Sequence, residues 1–285
     1  MKLEKFQEQE GKMISEQPLV TMVIPTYNQG VYLPACIDHC LFQSYENLEL
    51  VIVDGGSTDS TKSYLRSLKE SIAASVMHPV AYMTDEGEII RCEVKTYPQN
   101  RDIHIFSLDD DPGATATYNM GLRRARGKYC TYIAGDDLPH PHMIEEMVAV
   151  LEDGRCDFVY SDMNLVDDEG RIIRQMRLPE YSMKACLADW FHLGVSKLYR
   201  RSLHEGVGLM DESYTGANDY DHYLRFAMAG CRFFHLEKIL YSVRWHGPGR
   251  KTGQHTDGRY AILLDESRRC AQRARGALKE TEPAK

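Results

Sequence analysis

The sequence has no apolar run long enough to cross a bilayer as a helix, and its first residues, MKLEKFQEQEGKM, lack the apolar core of a signal peptide. A cytoplasmic protein is the expectation. Basic residues are not in excess: 34 Lys and Arg stand against 42 Asp and Glu, a formal net charge of -8. A surface that grips nucleic acid by counterion release is therefore not expected, and a polyanionic ligand must be held locally, by a cation or a few basic groups. C-x-x-C pairs are also missing. The 8 cysteines are scattered, which in a chain of this length points to buried thiols, not disulfides or zinc. No G-x-G-x-x-G follows the first strand and no G-x-x-x-x-G-K-[ST] occurs, so dinucleotide and P-loop readings fall. There is no internal repeat, which removes solenoids.

What remains is a chain of 285 residues, 43% hydrophobic, able to bury a large core. Residues 19–25 (LVTMVIP) and 48–53 (LELVIV) read as buried strands, with helical spacing at Leu33, Ile37, Cys40 and Leu41 between them. Thr58-Asp59-Ser60 can cap a helix through Leu65 and Leu68. This alternation predicts βαβ units and a mostly parallel sheet. Residues 76–108 read instead as a hairpin insertion or meander, with strands at 80–83, 89–94 and 103–107 around the turn at 85–87. A helix is expected from Thr115 to Arg126, closed by Gly127 as its C-cap, then a central strand at 129–134. Further on come a helix at 143–151, a short strand at 158–160, a turn at 166–172, a helix over 217–229 and a strand at 239–243. A polar, basic tail follows, amphipathic over 260–277.

In open parallel sheets, ligands sit beyond the carboxyl ends of the strands. Pro25-Thr26-Tyr27, Asp54-Gly55-Gly56-Ser57 and Gly135-Asp136-Asp137 all fall at such ends. Tyr27 can stack on a base, Asp54 can accept from a base or ribose, and the glycines allow close backbone approach. Taken alone, D-G-G-S-T-D serves equally well as turn and cap chemistry. Adjacent aspartates after an apolar strand repel each other and call for a hard cation such as Mg²⁺ or Mn²⁺, although a solvated capping pair before Leu138-Pro139 fits that segment as well. Asp219 and Asp221, near a helix start, gain from its dipole, and one of them can act as a general base. Arg244 and His246 follow a strand, where His246 can ligate a metal or bind phosphate, or be a satisfied structural histidine.

In this order and spacing, VIPTYNQGVYLPACIDHCLFQSYENLELVIVDGGSTDST, NMGLRRARGKYCTYIAGDD, LYRRSL, GANDYDHYLRFAMAG and YSVRWHG resemble the inverting glycosyltransferases of family 2, over roughly residues 19–250. The resemblance implies the GT-A fold, a Rossmann-like, mostly parallel α/β sheet flanked by helices with a smaller antiparallel acceptor-side sheet. It divides the chain into an N-terminal extension (1–17), a GT-A unit (18–250, split into nucleotide-sugar half 18–137 and acceptor half 138–250) and a tail (251–285). It implies a nucleotide-diphosphate sugar donor, a UDP-sugar by preference, with Mn²⁺ or Mg²⁺ and a glycan or lipid-linked acceptor in surface polysaccharide or glycoconjugate synthesis.

By that resemblance Pro25, Thr26, Tyr27, Asp54 and Gly56 line the nucleoside side and Asp136 faces ribose or sugar. Asp137 and His246 hold the metal. Asp219 is the base that deprotonates the acceptor hydroxyl, with Asp221 in reserve. Two positions depart from the family pattern: Gly55 stands where many members carry a second aspartate, and Ala134-Gly135-Asp136-Asp137 lacks the first carboxylate of D-x-D, which gives His246 a share of the metal. Residues 183–201, with Trp190, Phe191, His192 and Tyr199, are expected in the acceptor cleft or the core. Arg268 to Lys279 is the segment for any peripheral contact with an anionic membrane. Two other readings compete. A sugar-phosphate nucleotidyltransferase would carry a Gly-rich basic loop where this chain has P-T-Y-N-Q-G, with no lysine or arginine. A non-catalytic carbohydrate-binding scaffold would hydrolyse no donor under any metal.

Overall fold

The computed structural model describes residues 17–74, 77–83, 89–95, 97–98, 101–246 and 257–281. Most of the expected N-terminal extension, the turn at 85–87, the end of the expected GT-A unit, 247–250, and the first part of the tail, 251–256, lie outside the described residues. Strands β1 (Val20–Thr26) and β2 (Leu48–Asp54) are buried at every position, as unbroken apolar runs require when helices cover both faces. They pair in parallel, Val20 beside Leu48 and Thr26 beside Asp54, so both finish at one edge of the sheet. Helix α1 (Leu33–Leu41) joins them and buries Leu33, Cys36, Ile37, Cys40 and Leu41, the residues of one face. Helix α2 (Thr61–Ala74) follows β2, and Asp59 Oδ1 accepts from Thr61 N at 2.9 Å at its start.

Two expectations need correction. Residues 103–107 do not belong to the inserted hairpin, which consists of β3 (Met77–Met83) and β4 (Ile89–Lys95). They lie in β5 (Arg101–Ser107), the edge strand of the main sheet, parallel to β2 with Asp54 beside Ser107. An edge strand is half covered, so its composition looks like that of an exposed hairpin, and only the crossover partner separates the two. Helix α3 (Ala114–Leu122) stops short of Gly127, with Arg123 as its C-cap. Gly127 answers to a close approach instead: a Cβ there would stand 2.5 Å from Tyr129 O, 2.7 Å from Thr21 N and 2.8 Å from Leu19 O.

The chain then lays down β6 (Tyr129–Tyr132), β7 (Leu138–Pro139), α4 (Met143–Glu152), β8 (Phe158–Val166), β9 (Ile172–Met176), α5 (Met183–Cys186), β10 (Lys197–Arg200), α6 (Leu203–Val207), α7 (Asn218–Met228), β11 (Phe233–Arg244) and α8 (Asp257–Thr281). One sheet runs in the order β5, β2, β1, β6, β10, β8, β11, β7, with β9 paired to the second half of β8. It is parallel from β5 through β6 and again between β8 and β11. The antiparallel strands of the acceptor half continue this same sheet through β10.

Alternate strand residues feed two cores. Met22, Ile24, Leu50 and Ile52 pack with α1 and α4 on one face, whereas Val23, Val51 and Val53 join the core of α3, α7 and α8 on the other. The seven cysteines whose side chains are described are buried and unbridged. No helix among the described residues is long and apolar enough to cross a membrane. Several arginines of the basic segment are engaged within the fold: Arg269 pairs with Asp265, Arg273 with Asp211 and Asp221, and Arg275 donates to Leu187 O.

Candidate active site

The loops after β1 and β2 are laced together. Asn28, in the left-handed region at φ 53°, places its carboxamide oxygen 2.7 Å from Thr58 N, and its own N–H donates to Ser57 Oγ at 2.9 Å. An asparagine tolerates that backbone where most side chains would be strained. Gly30 N donates to Asp59 Oδ2 at 3.0 Å. Beneath this lacing lies Asp54, fully buried at the last position of β2. Its Oδ1 accepts from Ser57 N at 3.0 Å, while its Oδ2 has no hydrogen-bond partner among the described residues. A buried carboxylate oxygen left this way is costly until a donor reaches it.

A cleft of about 360 Å³ opens at the same sheet edge. Pro25, Thr26 and Tyr27 after β1, Asp136 and Asp137 after β6, Asp219 from α7, Trp190 and Phe191, and Arg244 and His246 at the end of β11 all line it. The segments after β1 and β6 thus line one cleft, whereas Asp54, fully buried at the end of β2 beside Thr26, is not among its lining residues. Gly56 stays out of the cleft: its φ of +83° and a hypothetical Cβ 2.7 Å from the Asp110 carbonyl carbon make it a packing glycine in the turn. His192 and Tyr199 are core residues, 3% and 0% exposed. Asp221 is buried away from the cleft, with Oδ2 accepting from Arg225 Nε at 2.8 Å and Oδ1 against Arg273.

The two adjacent aspartates differ sharply. Asp137 is buried, Oδ2 accepting from Tyr241 Oη at 2.9 Å and Oδ1 from Arg244 N at 2.9 Å. Burial and the neighbouring Asp136 push its pKa up to about 7. Asp136 faces the cleft, with Oδ2 2.7 Å from His246 Nε2, and His246 Nδ1 lies 2.7 Å from Asp168 Oδ1. A carboxylate and an imidazole oriented from behind by a second carboxylate are a donor set suited to Mn²⁺, and to Mg²⁺ when diphosphate oxygens complete the shell. The three-residue groups elsewhere with metal-ligand spacing are remote from the cleft, and in one of them Arg126 already joins Glu49 and Asp102.

Asp219 occupies the first turn of α7. Its Oδ1 accepts from Tyr220 N at 2.7 Å, and its own N–H donates to Asn218 Oδ1 at 2.8 Å. Burial raises its pKa, against the charge of Lys197. Arg244 is spent on structure: Nε donates to Asp136 O at 2.9 Å, and one guanidinium nitrogen reaches Asp167 O and Asp168 O at 2.8 and 2.6 Å.

Three cleft-side residues escape the sequence reading. Asp168 reads as a turn residue, and its contact with His246 is purely tertiary. Arg259 belongs to a tail with no visible link to the site. Lys197 sits in L-G-V-S-K-L-Y-R, where a lysine suggests solvent.

The model of the family described as glycosyl transferase family 2 matches residues 21–79 and 84–218. The chain belongs to glycosyltransferase family 2. An uncharacterized glycosyltransferase of Rickettsia prowazekii is 27% identical over 234 residues, 79% of this chain and 64% of the relative. The chondroitin synthase of Escherichia coli is 29% identical over 247 residues, 84% of this chain and 30% of that protein. This family 2 chain spans less than two-thirds of the length of such curated relatives.

Among solved structures, S. aureus TarS 1-349 in complex with UDP-GlcNAc superposes with a TM-score of 0.59 at 18% identity, covering 87% of this chain and 66% of that one. The mannosyltransferase PcManGT from Pyrobaculum calidifontis, in complex with GDP-Man and Mn2+, gives 0.56 at 18%, covering 95% and 77%. These likenesses establish the fold, which is GT-A as the resemblance implies.

Proposed function

We propose that this family 2 chain transfers a sugar from a nucleotide-diphosphate sugar to an acceptor hydroxyl, with inversion and divalent-metal assistance, in the synthesis of a surface polysaccharide or glycoconjugate. The observation that carries the reading is that Asp136, after β6, and Asp219, at the start of α7, line one cleft with His246, while Asp54 ends β2 beside Thr26, itself a lining residue. Chondroitin synthase among the relatives supports the polysaccharide class, and the UDP-GlcNAc and GDP-Man with Mn2+ in the two solved neighbours support the donor class and a cation. A UDP-sugar is our first choice of donor.

In this reading residues 18–137 bind the donor nucleotide and 138–250 shape the acceptor side. The free Oδ2 of Asp54 meets a base or ribose donor, and Tyr27 stacks on the base. Asp136 and His246 hold the cation in place of the Asp137 and His246 that the resemblance implied: both carboxylate oxygens of Asp137 are engaged, by Tyr241 and the backbone of Arg244, so it braces the site from a buried position. When bound, Mn²⁺ or Mg²⁺ supplies electrostatic stabilisation to the departing diphosphate, so no proton donor is needed there. Asp219 takes the proton from the acceptor hydroxyl as its oxygen bonds to the anomeric carbon and the diphosphate leaves from the opposite face. One displacement inverts the configuration.

The experiment is a panel of nucleotide sugars with Mn²⁺, followed by NMR of the anomeric proton in the product. Inverted product, or slow donor hydrolysis without acceptor, is expected. Retained configuration, release of pyrophosphate, or no turnover of any donor would each reject the proposal, the second in favour of a nucleotidyltransferase and the third in favour of a binding scaffold.

A further inference from the structure

Lys197 is 2% exposed, yet it lines the cleft. Its Nζ donates to Val195 O at 3.0 Å and lies 3.3 Å above the centre of the Tyr132 ring. No carboxylate among the described residues reaches it at ion-pair distance; Asp219 and Asp137 act on it through space. Burial nevertheless pushes its pKa down to about 7. An ammonium desolvated against one neutral acceptor and a ring face is expensive to keep unless an anion completes its surroundings. The described residues supply none in contact.

Position narrows the choice of anion. Strand β10 runs antiparallel to β6, so Lys197, its first residue, stands at the edge where β6 ends. Along that edge the order is β2, β1, β6, β10. Across the sheet Asp54 and Lys197 are three strand spacings apart, roughly 14 Å, and the register sets Lys197 level with Tyr132 and Val23, short of Thr26 and Asp54 along the strands. Asp136 and Asp137 stand between them, after β6. A diphosphate held near Asp136 and His246 leaves Lys197 one strand farther on, beside Asp219, Trp190 and Phe191, where the two sugars meet.

We propose that Lys197 is a subsite for the carboxylate of an acidic sugar at the reaction centre. The assignment rests on the glycosyltransferase reading, and the carboxylate can enter on the transferred sugar or on the acceptor. Neutral sugars leave the buried ammonium uncompensated; a uronic acid meets it with a charge-assisted hydrogen bond, worth at least about tenfold in affinity. Above the lysine's own pKa that preference fades.

The test is titration by thermal shift and NMR, with Mn²⁺ present, of wild type and Lys197→Met. The donor arm compares UDP-glucuronate with UDP-glucose, and the acceptor arm methyl glucuronide with methyl glucoside. In one arm the acidic ligand is expected to bind at least about tenfold tighter than its neutral counterpart in wild type, and the ratio to fall to about threefold or less in Lys197→Met. Replacing a buried charge by an apolar chain of similar length is tolerated by many cores, and a Lys197→Gln variant gives a second reading of the ratio if the methionine protein does not fold. No acidic preference in either arm, or one that survives in both variants, overturns the subsite. Weakening of UDP itself in the variants assigns Lys197 to the diphosphate and overturns it too. If UDP binds neither protein, the choice of a UDP-sugar donor fails by itself and the nucleotide panel tests the transferase reading separately, while the methyl glucuronide ratio still decides on the lysine.

Discussion

Asp219 stands in the first turn of α7, where the positive end of the helix dipole favours a carboxylate, but in a cleft wall whose burial favours the protonated acid. The second effect prevails and its pKa is raised. A base works only when ionised, so transfer should fall as pH drops through a midpoint above the ordinary carboxylate range. Asp219→Asn should lower kcat by about 100-fold or more, with donor KM changed only slightly, and should erase that acid limb. Steady-state kinetics across pH checks this, and wild-type turnover in the variant removes Asp219 as the base. At this scale the sequence was informative where chemistry coincides with a strand end. Thr26, Asp54, Asp136 and Asp137 were legible because an apolar run announces where a strand stops. Lys197 was not, because its burial depends on Tyr132 from a strand some sixty residues earlier, and no local pattern encodes that meeting. Gly127 misled for a related reason: part of the backbone pressing on it, Leu19 O and Thr21 N, comes from the start of β1, some hundred residues earlier.

Helix α8 looked like a tail in the sequence, and the structure makes it a brace. Glu266, 3% exposed, accepts from Gly216 N at 2.7 Å, Ala217 N at 2.9 Å and Thr215 N at 3.1 Å, taking up the amides of the turn that enters α7 two residues before Asp219. Leu263, Cys270 and Ala274 fix the helix in the core beside Tyr220 and Leu224. A Cβ on Gly216 would stand 3.0 Å from Leu263 Cα, so turn and helix are fitted closely. Glu266→Ala leaves those amides unsatisfied and should cost about 2 to 4 kcal/mol in unfolding free energy, measured in urea. It should also lower kcat more than donor affinity, because the base loses its fixed approach. Unaltered kcat in a destabilised variant would confine Glu266 to folding. The hydrophobic spacing of residues 260–277 made this helix legible, but what the buried carboxylate of Glu266 holds was beyond any periodicity argument. The hairpin insertion shows the same boundary: β3 and β4 pair locally and were readable, whereas β5 pairs across a crossover and was assigned to the wrong neighbour.

For the molecule as a whole, alternation of strands and helices in the first half was enough to read the parallel sheet, since each unit is built from neighbours in sequence. The acceptor half was read as fragments, because β10 is inserted between β6 and β8 and the long β8 meets β11 in parallel only after β9, β10 and three helices have intervened. The same interleaving buries histidines. His204 packs on His222 and Phe226, and burial lowers its pKa from 6.5 to about 4. The unfolded chain binds this proton near pH 6.5 and the folded chain does not, so the ring's contribution to stability is intact above pH 6.5 and is lost as pH falls toward 4. The loss amounts to about 3 kcal/mol. Urea denaturation of wild type and His204→Gln at both ends of that interval should show a smaller acid penalty in the variant, and equal penalties would remove His204 from the acid response.

The lacing of the first two loops by Asn28 has a kinetic corollary. Folding itself has already ordered that wall, so a nucleotide docking there immobilises little new backbone, and association should be fast and nearly indifferent to which base arrives. Discrimination among nucleotides would then reside in how long each one stays.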